Sequence, residues 1–320
     1  FPLKRTGSQI YLESDKLFPS TWGDTSNSVM LWTASFTPRY RIYMGEEDES
    51  YVEGGLDFYY DNMASKRYSD GGYSNKIAST DIERITVAPW LGGRLALDDV
   101  FSITAAGRYE SAINYVDHTS AAPYDEHKNF GGLAGQIGLN AKIDESWNVY
   151  FRFDQVYRYP AIDEMASYWG YATDAFNPLL NPERGQNYEI GANFVRGPWR
   201  ANCSLFFMHL DNEIMLNPAT YTSENIGSTD RFGADVRLGY ELENFGVSTA
   251  WAFVSAKFDG GEYNGNNVPL VPTIVSTTRV WVKPVKFLEL AVEYEWASGQ
   301  YMGSDFGNTQ EKMPAVWTLN

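Results

Sequence analysis

The sequence predicts an all-β fold, an antiparallel transmembrane β-barrel. Three observations predict it. Apolar and polar residues alternate with period two through most of the 320 residues. Short links, at 44–49, 94–99, 143–146, 195–198, 242–245 and 283–286, take turns with long polar links near 14–27, 62–77, 114–131, 159–183, 212–229, 259–271 and 299–313. Aromatic residues reach 16%, with 22 Tyr and 10 Trp. Tight turns on one side and long loops on the other are how an outer-membrane barrel is built. Amphipathic rings suit the headgroup layers at its two rims.

Taken in order, the alternation marks about thirteen strands: 5–13, 28–43, 50–61, 79–93, 99–113, 132–143, 147–158, 186–195, 199–211, 230–242, 246–258, 273–283 and 287–298, with a fourteenth from Ala315. Most are of the length that a tilted membrane strand requires. In 28–43, Met30, Trp32, Ala34, Phe36, Tyr40 and Ile42 oppose Arg39 and Arg41. In 147–158, Trp147, Val149, Phe151 and Phe153 oppose Asn148, Tyr150, Arg152 and Asp154. In 230–242, Phe232, Ala234, Val236, Leu238 and Tyr240 oppose Asp235, Arg237 and Glu241. In 287–296, Leu288, Leu290, Val292, Tyr294 and Trp296 oppose Glu289, Glu293 and Glu295. Trp147 and Trp199 follow short turns, where an aromatic girdle would sit. Apolar-out and polar-in is therefore the expected arrangement. A soluble β-propeller repeats at a similar period, but its blades need four short strands per repeat where this chain offers two long ones.

The bulk composition narrows the function. A net charge of −16 argues against a nucleic-acid partner. No apolar run is long enough for a membrane helix, which leaves a barrel open because its lipid face uses every second residue. The single cysteine, Cys203, permits no internal disulfide and no thiolate metal site. The three histidines, His118, His127 and His209, are scattered, and no nucleophile, zinc or phosphate-loop motif occurs. No catalytic residue, metal site or cofactor is expected, so the chain reads as a non-enzyme. Glu293 and Glu295 share a spacing with paired catalytic carboxylates, but a polar wall accounts for them.

Six segments carry a family resemblance. They are 99–111 (DVFSITAAGRYES), 147–165 (WNVYFRFDQVYRYPAIDEM), 177–194 (NPLLNPERGQNYEIGANF), 204–216 (SLFFMHLDNEIML), 225–238 (NIGSTDRFGADVRL) and 265–275 (GNNVPLVPTIV). In that order and spacing the chain resembles the barrel of a TonB-dependent outer-membrane receptor, with Asp235 where many members have Glu. The resemblance implies a 22-stranded barrel, of which 1–320 is expected to be one internal fragment, with the plug domain, the energy-coupling box and the last strands absent. It further implies active import of a scarce solute, such as an iron chelate, siderophore or corrinoid (cobalamin). The implied partners are the TonB energy-transducing complex, acting through the plug, and outer-membrane lipid or lipopolysaccharide. The implied location is the outer membrane of a Gram-negative cell. A passive channel or porin is the alternative.

Two sets of site residues follow. Arg152, Asp154, Glu189, Asp235, Arg237, Glu241, Glu289 and Glu293 are expected on the lumen side, where the family's plug sits; on the lipid face a charge would cost about 2–4 kcal/mol at midplane. The long segment 158–180 is the candidate ligand-contacting loop, through Arg158, Tyr159, Tyr168, Trp169, Tyr171 and Phe176. Large rings outside a core offer flat apolar area with a polar tip. The alternative is that these rings pack among the outward loops as a lid. The loop carboxylates Asp163, Glu164, Asp174, Glu213, Glu224, Asp230, Asp259 and Glu262 tilt the expectation toward neutral or cationic cargo.

Overall fold

A computed structural model describes residues 4–7, 10–22, 25–45, 49–70, 72–119, 124–165, 177, 179–217, 222–303 and 305–320. Along the chain run β1 (Lys4–Gly7), β2 (Ile10–Trp22), β3 (Thr25–Phe36), β4 (Arg39–Met44), β5 (Ser50–Tyr68), β6 (Lys76–Ala96), β7 (Phe101–Thr119), β8 (Tyr124–Lys142) and β9 (Trp147–Arg158). A single helical turn, α1 (Ile162–Met165), leads to β10 (Glu183–Arg196) and β11 (Trp199–Asp211). A small hairpin, β12 (Ile214–Asn217) and β13 (Thr222–Asn225), precedes β14 (Ser228–Glu241), β15 (Phe245–Asp259), β16 (Ile274–Val285), β17 (Leu288–Ala297) and β18 (Val316–Leu319).

Apart from the hairpin, these strands form one antiparallel sheet in chain order. A continuous sheet rules out propeller blades. β1 pairs with β4 and β2 with β3, while β3 and β4 both lie along β5. β1 with β2, and β3 with β4, are thus each one strand position interrupted by a short break. At the second break Pro38 has no N–H to give the ladder, and its carbonyl accepts instead from the Leu56 N–H at 3.2 Å. Among the described residues the path from β1 and β2 to β18 does not return on itself.

The register sorts the faces. Leu139, Phe151, Ile190, Leu205, Ala234 and Phe253 form one cross-strand row. Ile190 is 59% exposed and Leu139 52%, although both are apolar. Rows of this kind make the outer surface apolar, which water would penalise and lipid does not. At the short-turn end Trp147 rests against Phe194 at 4.8 Å and Trp199 against Tyr240 at 4.6 Å, ring centre to ring centre. All four rings stand on the outer face, as a girdle requires.

The structure corrects the expected loops. The link read at 62–77 shrinks to 69–75, because β5 and β6 run further outward. The link read at 114–131 shrinks to 120–123, and that read at 14–27 to 23–24, both outside the described residues. His118 and His127 therefore stand on strands rather than in a loop, with His118 Nδ1 at 2.7 Å from Thr80 Oγ1. β5, β7 and β8 each hold 19 residues, about 60 Å of strand, well beyond a hydrocarbon core about 30 Å thick even when tilted. Beyond that thickness the outer face turns polar, with Asp81, Glu83, Asp117 and His127 on it. The hydrophobic alternation stops there while the backbone ladder continues.

Candidate functional site

The segment that follows β9 turns inward. β9 ends because Pro160 cannot donate to a ladder, and the chain crosses onto the inner face of β5–β8. There Ile162, Met165 and Leu180 join Met63, Ile82, Ala112, Val116 and Phe130 in one buried cluster. Met165 and Leu180 are each 1% exposed, whereas the neighbouring Leu179 is 79% exposed. The loop thus forms a roof packed on the wall.

Arg84 of β6 is the seat of that roof. It is buried at 4% exposure. Its Nη2 donates to the Pro160 carbonyl at 2.7 Å and its Nε to Asn114 Oδ1 at 2.6 Å. Asn114 passes the connection to β8 by donating to the Lys128 carbonyl at 2.7 Å. The guanidinium lies 4.6 Å from the centre of the Tyr159 ring, and that ring stacks on Phe130 with an angle of 6° between planes. The Tyr159 hydroxyl meets Thr86 Oγ1 at 3.3 Å. Burial pushes the Tyr159 phenol up to about 12, so it is neutral throughout the physiological range. Among the described residues no carboxylate lies within ion-pair distance of Arg84. Its hydrogen bonds to neutral oxygens and the aromatic face carry the compensation that burial of a cation demands.

The neck of the loop is cinched separately. Arg158 binds Glu183 through two hydrogen bonds of 2.8 Å and reaches Glu164 at 2.7 Å. It therefore ties the residue before the loop, one within it and one after it. Glu164 also accepts from the Ala161 N–H at 2.7 Å, and Glu183 from the Ile214 N–H at 2.7 Å. Forked contacts of this kind fix geometry as well as adding energy.

Below the roof the inner face is a polar wall with an open groove of about 720 Å³, lined by Arg39, Asp57, Tyr59, Trp90, Arg108 and Asp154 among others. Arg108 pairs with Asp57 and, at 2.7 Å, with Glu110. Trp90 lies flat over Gly55, where an added Cβ would come within 2.7 Å of its indole nitrogen. Gly132 likewise leaves room for the Tyr157 ring. Charges of both signs in pairs give a hydrophilic surface with little net field.

By register Arg152, Asp154, Glu189, Asp235, Arg237, Glu241 and Glu293 share this polar face, and Glu289 lies between Leu288 and Leu290 in β17. Arg152 meets Glu189 at 2.8 Å and Asp154 at 3.0 Å, while the Tyr150 hydroxyl donates to Glu189 at 2.6 Å. Asp235 lies opposite Ser204 in the ladder, and Arg237 opposite Asn202. Arg237, Glu241 and Glu293 line a second groove of about 500 Å³. Glu289 is held by Arg279 at 3.0 Å and Lys283 at 3.2 Å.

Of the six residues expected in ligand contact, the structure describes two. Arg158 is occupied by the neck, and Tyr159 faces the wall as part of the seat. Tyr168, Trp169, Tyr171 and Phe176 lie outside the described residues. Several acidic loop residues are already partnered: Glu164 by Arg158, Glu213 by Arg231 at 2.6 Å, and Asp230 by His209 at 2.7 Å. The count of loop carboxylates therefore overstates the negative field offered to cargo. Asp259 joins His209 and Asp230 in a cluster at the outer end of the lipid-facing surface. An imidazole among carboxylates accounts for that group without a metal.

Arg84, Asn114, Thr86 and Phe130 were not singled out in the sequence. Arg84 shares its face with Thr80, Ile82 and Thr86, so no clean alternation marks it. Its key partner, Pro160, is 76 residues away.

Comparison with known proteins places this architecture. A curated relative, the probable TonB-dependent siderophore receptor PiuA of Acinetobacter baumannii, is 22% identical over 223 residues, covering 63% of this chain and 29% of the relative. Among solved structures, the ferric citrate transporter FecA in its unliganded form superposes with a TM-score of 0.75 at 19% identity, covering 99% of this chain and 50% of that one. The ferric yersiniabactin uptake receptor FyuA of Yersinia pestis gives 0.72 at 17%, covering 99% and 53%. The chain thus spans about half the length of these structures and less than a third of the curated relative. These relatives are transport receptors, not enzymes. The model of the TonB-dependent receptor-like β-barrel matches residues 4–320, and the chain belongs to that family.

Proposed function

We propose that this chain is a stretch of the wall of an outer-membrane receptor that captures a scarce solute at its outward loops. The cargo class is an iron chelate, a corrinoid or a similar compound. Import draws on energy supplied through TonB, acting on a plug domain in the whole protein. The observation that carries this reading is the combination of an apolar outer face with an outward loop folded onto a polar inner wall, in a chain that matches the receptor barrel over 4–320. A passive channel finds no support among the relatives. The apolar face is the surface for outer-membrane lipid and lipopolysaccharide. Coupling requires that cargo bind the roofed and unroofed states unequally, since a solute with equal affinity for both shifts nothing.

Uptake of radio-iron chelates of the citrate, catecholate and hydroxamate types, and of labelled cobalamin, tests the reading. Cells lacking the gene are expected to lose saturable uptake of one class, and cells lacking TonB to lose the same class. Uptake that survives loss of TonB and rises linearly with concentration would leave a passive channel instead.

A further inference from the structure

The hairpin β12–β13 lies between two apolar clusters. Ile214 is buried in the cluster that seats the roof, beside Ile162, Met165, Leu180 and Phe130. The next residue, Met215, packs with Ile226 against Ala256, Phe258, Val268 and Phe306. Successive residues of an extended strand point to opposite sides. One short strand thus has a face in each cluster, and it cannot shift without disturbing both.

Polar contacts follow the same division. On the roof side, Asn177 Nδ2 donates to the Ser223 carbonyl at 2.8 Å. The Asn181 N–H donates to Asn225 Oδ1 at 2.8 Å, and Asn225 Nδ2 returns a bond to the Asn181 carbonyl at 3.0 Å. On the far side, the loop after β15 is joined to the loop after β17. The Asn267 N–H donates to Asn308 Oδ1 at 2.6 Å, Asn308 Nδ2 donates to the Asn267 carbonyl at 3.0 Å, and Asn266 Nδ2 donates to the Phe306 carbonyl at 3.1 Å. The hairpin is rooted by Glu213, which accepts from Arg231 at 2.6 Å and Thr229 at 2.5 Å.

We propose that β12–β13 is a coupling element that joins the described outward residues 159–165 with 177 and 179–182, 212–217 with 222–227, 260–273 and 305–315 into one cap on the wall, with Arg84 as its seat. Release of the roof from Arg84 then loosens loops that never touch Arg84. Packed interfaces of this kind switch between discrete arrangements rather than deforming smoothly. The proposal deepens the import reading by making these outward loops yield together. It rests on that reading only for the direction in which the cap faces. Adjacency alone does not prove coupling, so the test measures coupling directly.

The experiment is peptide-level hydrogen exchange on the complete protein in lipid nanodiscs, without cargo. Arg84→Met keeps apolar bulk and removes the donors. It is expected to speed exchange about tenfold or more at 160–165 and 177–182, since hydrogen bonds to a charged group are among the stronger ones. The same variant is expected to speed exchange at 213–217, 222–226 and 264–268, with the β14–β15 ladder unchanged. Adding Ile214→Ala, which empties the hairpin's face toward the roof, is expected to abolish the response of 264–268 to Arg84→Met. Acceleration confined to 160–182, or no acceleration anywhere, overturns the proposal. If Arg84→Met does not assemble into a barrel, Ile162→Ala unseats the roof by a different contact and is read in the same way. A cap that loosens in concert in a protein that imports none of the chelates would uphold the coupling and sink the import reading, so the two failures are distinct.

Discussion

The two apolar clusters at the outer end are built on different principles. The cluster around Met63, Ile82 and Phe130 joins a loop to the barrel wall and contains a buried cation at its edge. The cluster around Phe258 and Phe306 caps the outer end of β15 with loops, and its polar contacts are largely neutral amides. In the first, the wall dictates where the loop lies, because Arg84 and Asn114 need partners that only the loop and the neighbouring strands supply. In the second, rings from one strand end and two loops shape each other: Phe258, Tyr263 and Phe306 lie with centres 5.5–6.1 Å apart. The first can be released by the loss of one seat, whereas the second holds through contacts spread over three rings.

Substitutions can break that contrast, beginning with the strongest. Phe258→Ala is expected to destabilise the outer loop pair locally by about 3–5 kcal/mol, as loss of a buried aromatic ring does. Limited proteolysis should then cut within 260–273 while β14 and β15 stay intact. Leu180→Ala is expected to weaken the roof by about 2–4 kcal/mol, seen as faster exchange at 177–182. Coupling through β12–β13 passes a smaller part of that loss to 264–268, and a loss there as large as at 177–182 would show that the second cluster has no rigidity of its own. Glu183→Gln keeps the shape but removes the charge from the neck. About 1–2 kcal/mol of loop closure should go with it, with Arg158→Lys giving a comparable loss because an ammonium cannot fork. Arg152→Ala on the mid-wall should change stability by less than about 1 kcal/mol, since the guanidinium is 43% exposed and its ion pairs are screened by water.

The smallest effect is one of pH, and it separates turn chemistry from cluster packing. Asp70 accepts from the N–H of Ser74, which leads, and from those of Asn75 and Gly72 and the Ser74 hydroxyl. These bonds hold its carboxyl below the usual range. Because the folded value is depressed, the contribution is complete above the ordinary carboxylate pKa and is lost as pH falls through the folded one. Asp305 behaves alike. Desolvation would raise it, but the N–H groups of Thr309 and Gln310 and the Thr309 hydroxyl outweigh that and lower it. Exchange at 72–75 and 309–310 is therefore expected to quicken on acidification into the acidic carboxylate range, while that at 162–165 does not.

The strand count and the sorting of faces were legible because both are periodic. The run 287–296 shows its lipid face in every second letter, and the register bears that out from Leu288 to Trp296. The outward ends of β5–β8 were not legible. Around Lys66, Arg67, Asp117, His118, His127 and Lys128 the outer face turns polar while Met63, Ile82, Val116 and Phe130 lie under the roof on the inner face, so the apolar-out pattern is lost although the ladder persists. The β12–β13 hairpin was hidden because each strand has four residues and no alternation can be read over so short a span. The seat was hidden for another reason. Tyr159 looks like any exposed loop aromatic until the chain folds back to place it between Phe130 and Arg84.

The neck at Arg158 has a consequence for how such a protein diversifies. Met165 and Asn177 are joined directly, the Asn177 N–H donating to the Met165 carbonyl at 2.7 Å. The intervening stretch therefore begins and ends at a fixed point, independent of its own content. Doubling the length of a closed loop costs only about 0.6 kcal/mol of closure entropy. Insertions, deletions and wholesale replacement between those two residues should leave the barrel's assembly untouched. That stretch is thus exchangeable as one cassette, bracketed by a frame that does not have to change with it.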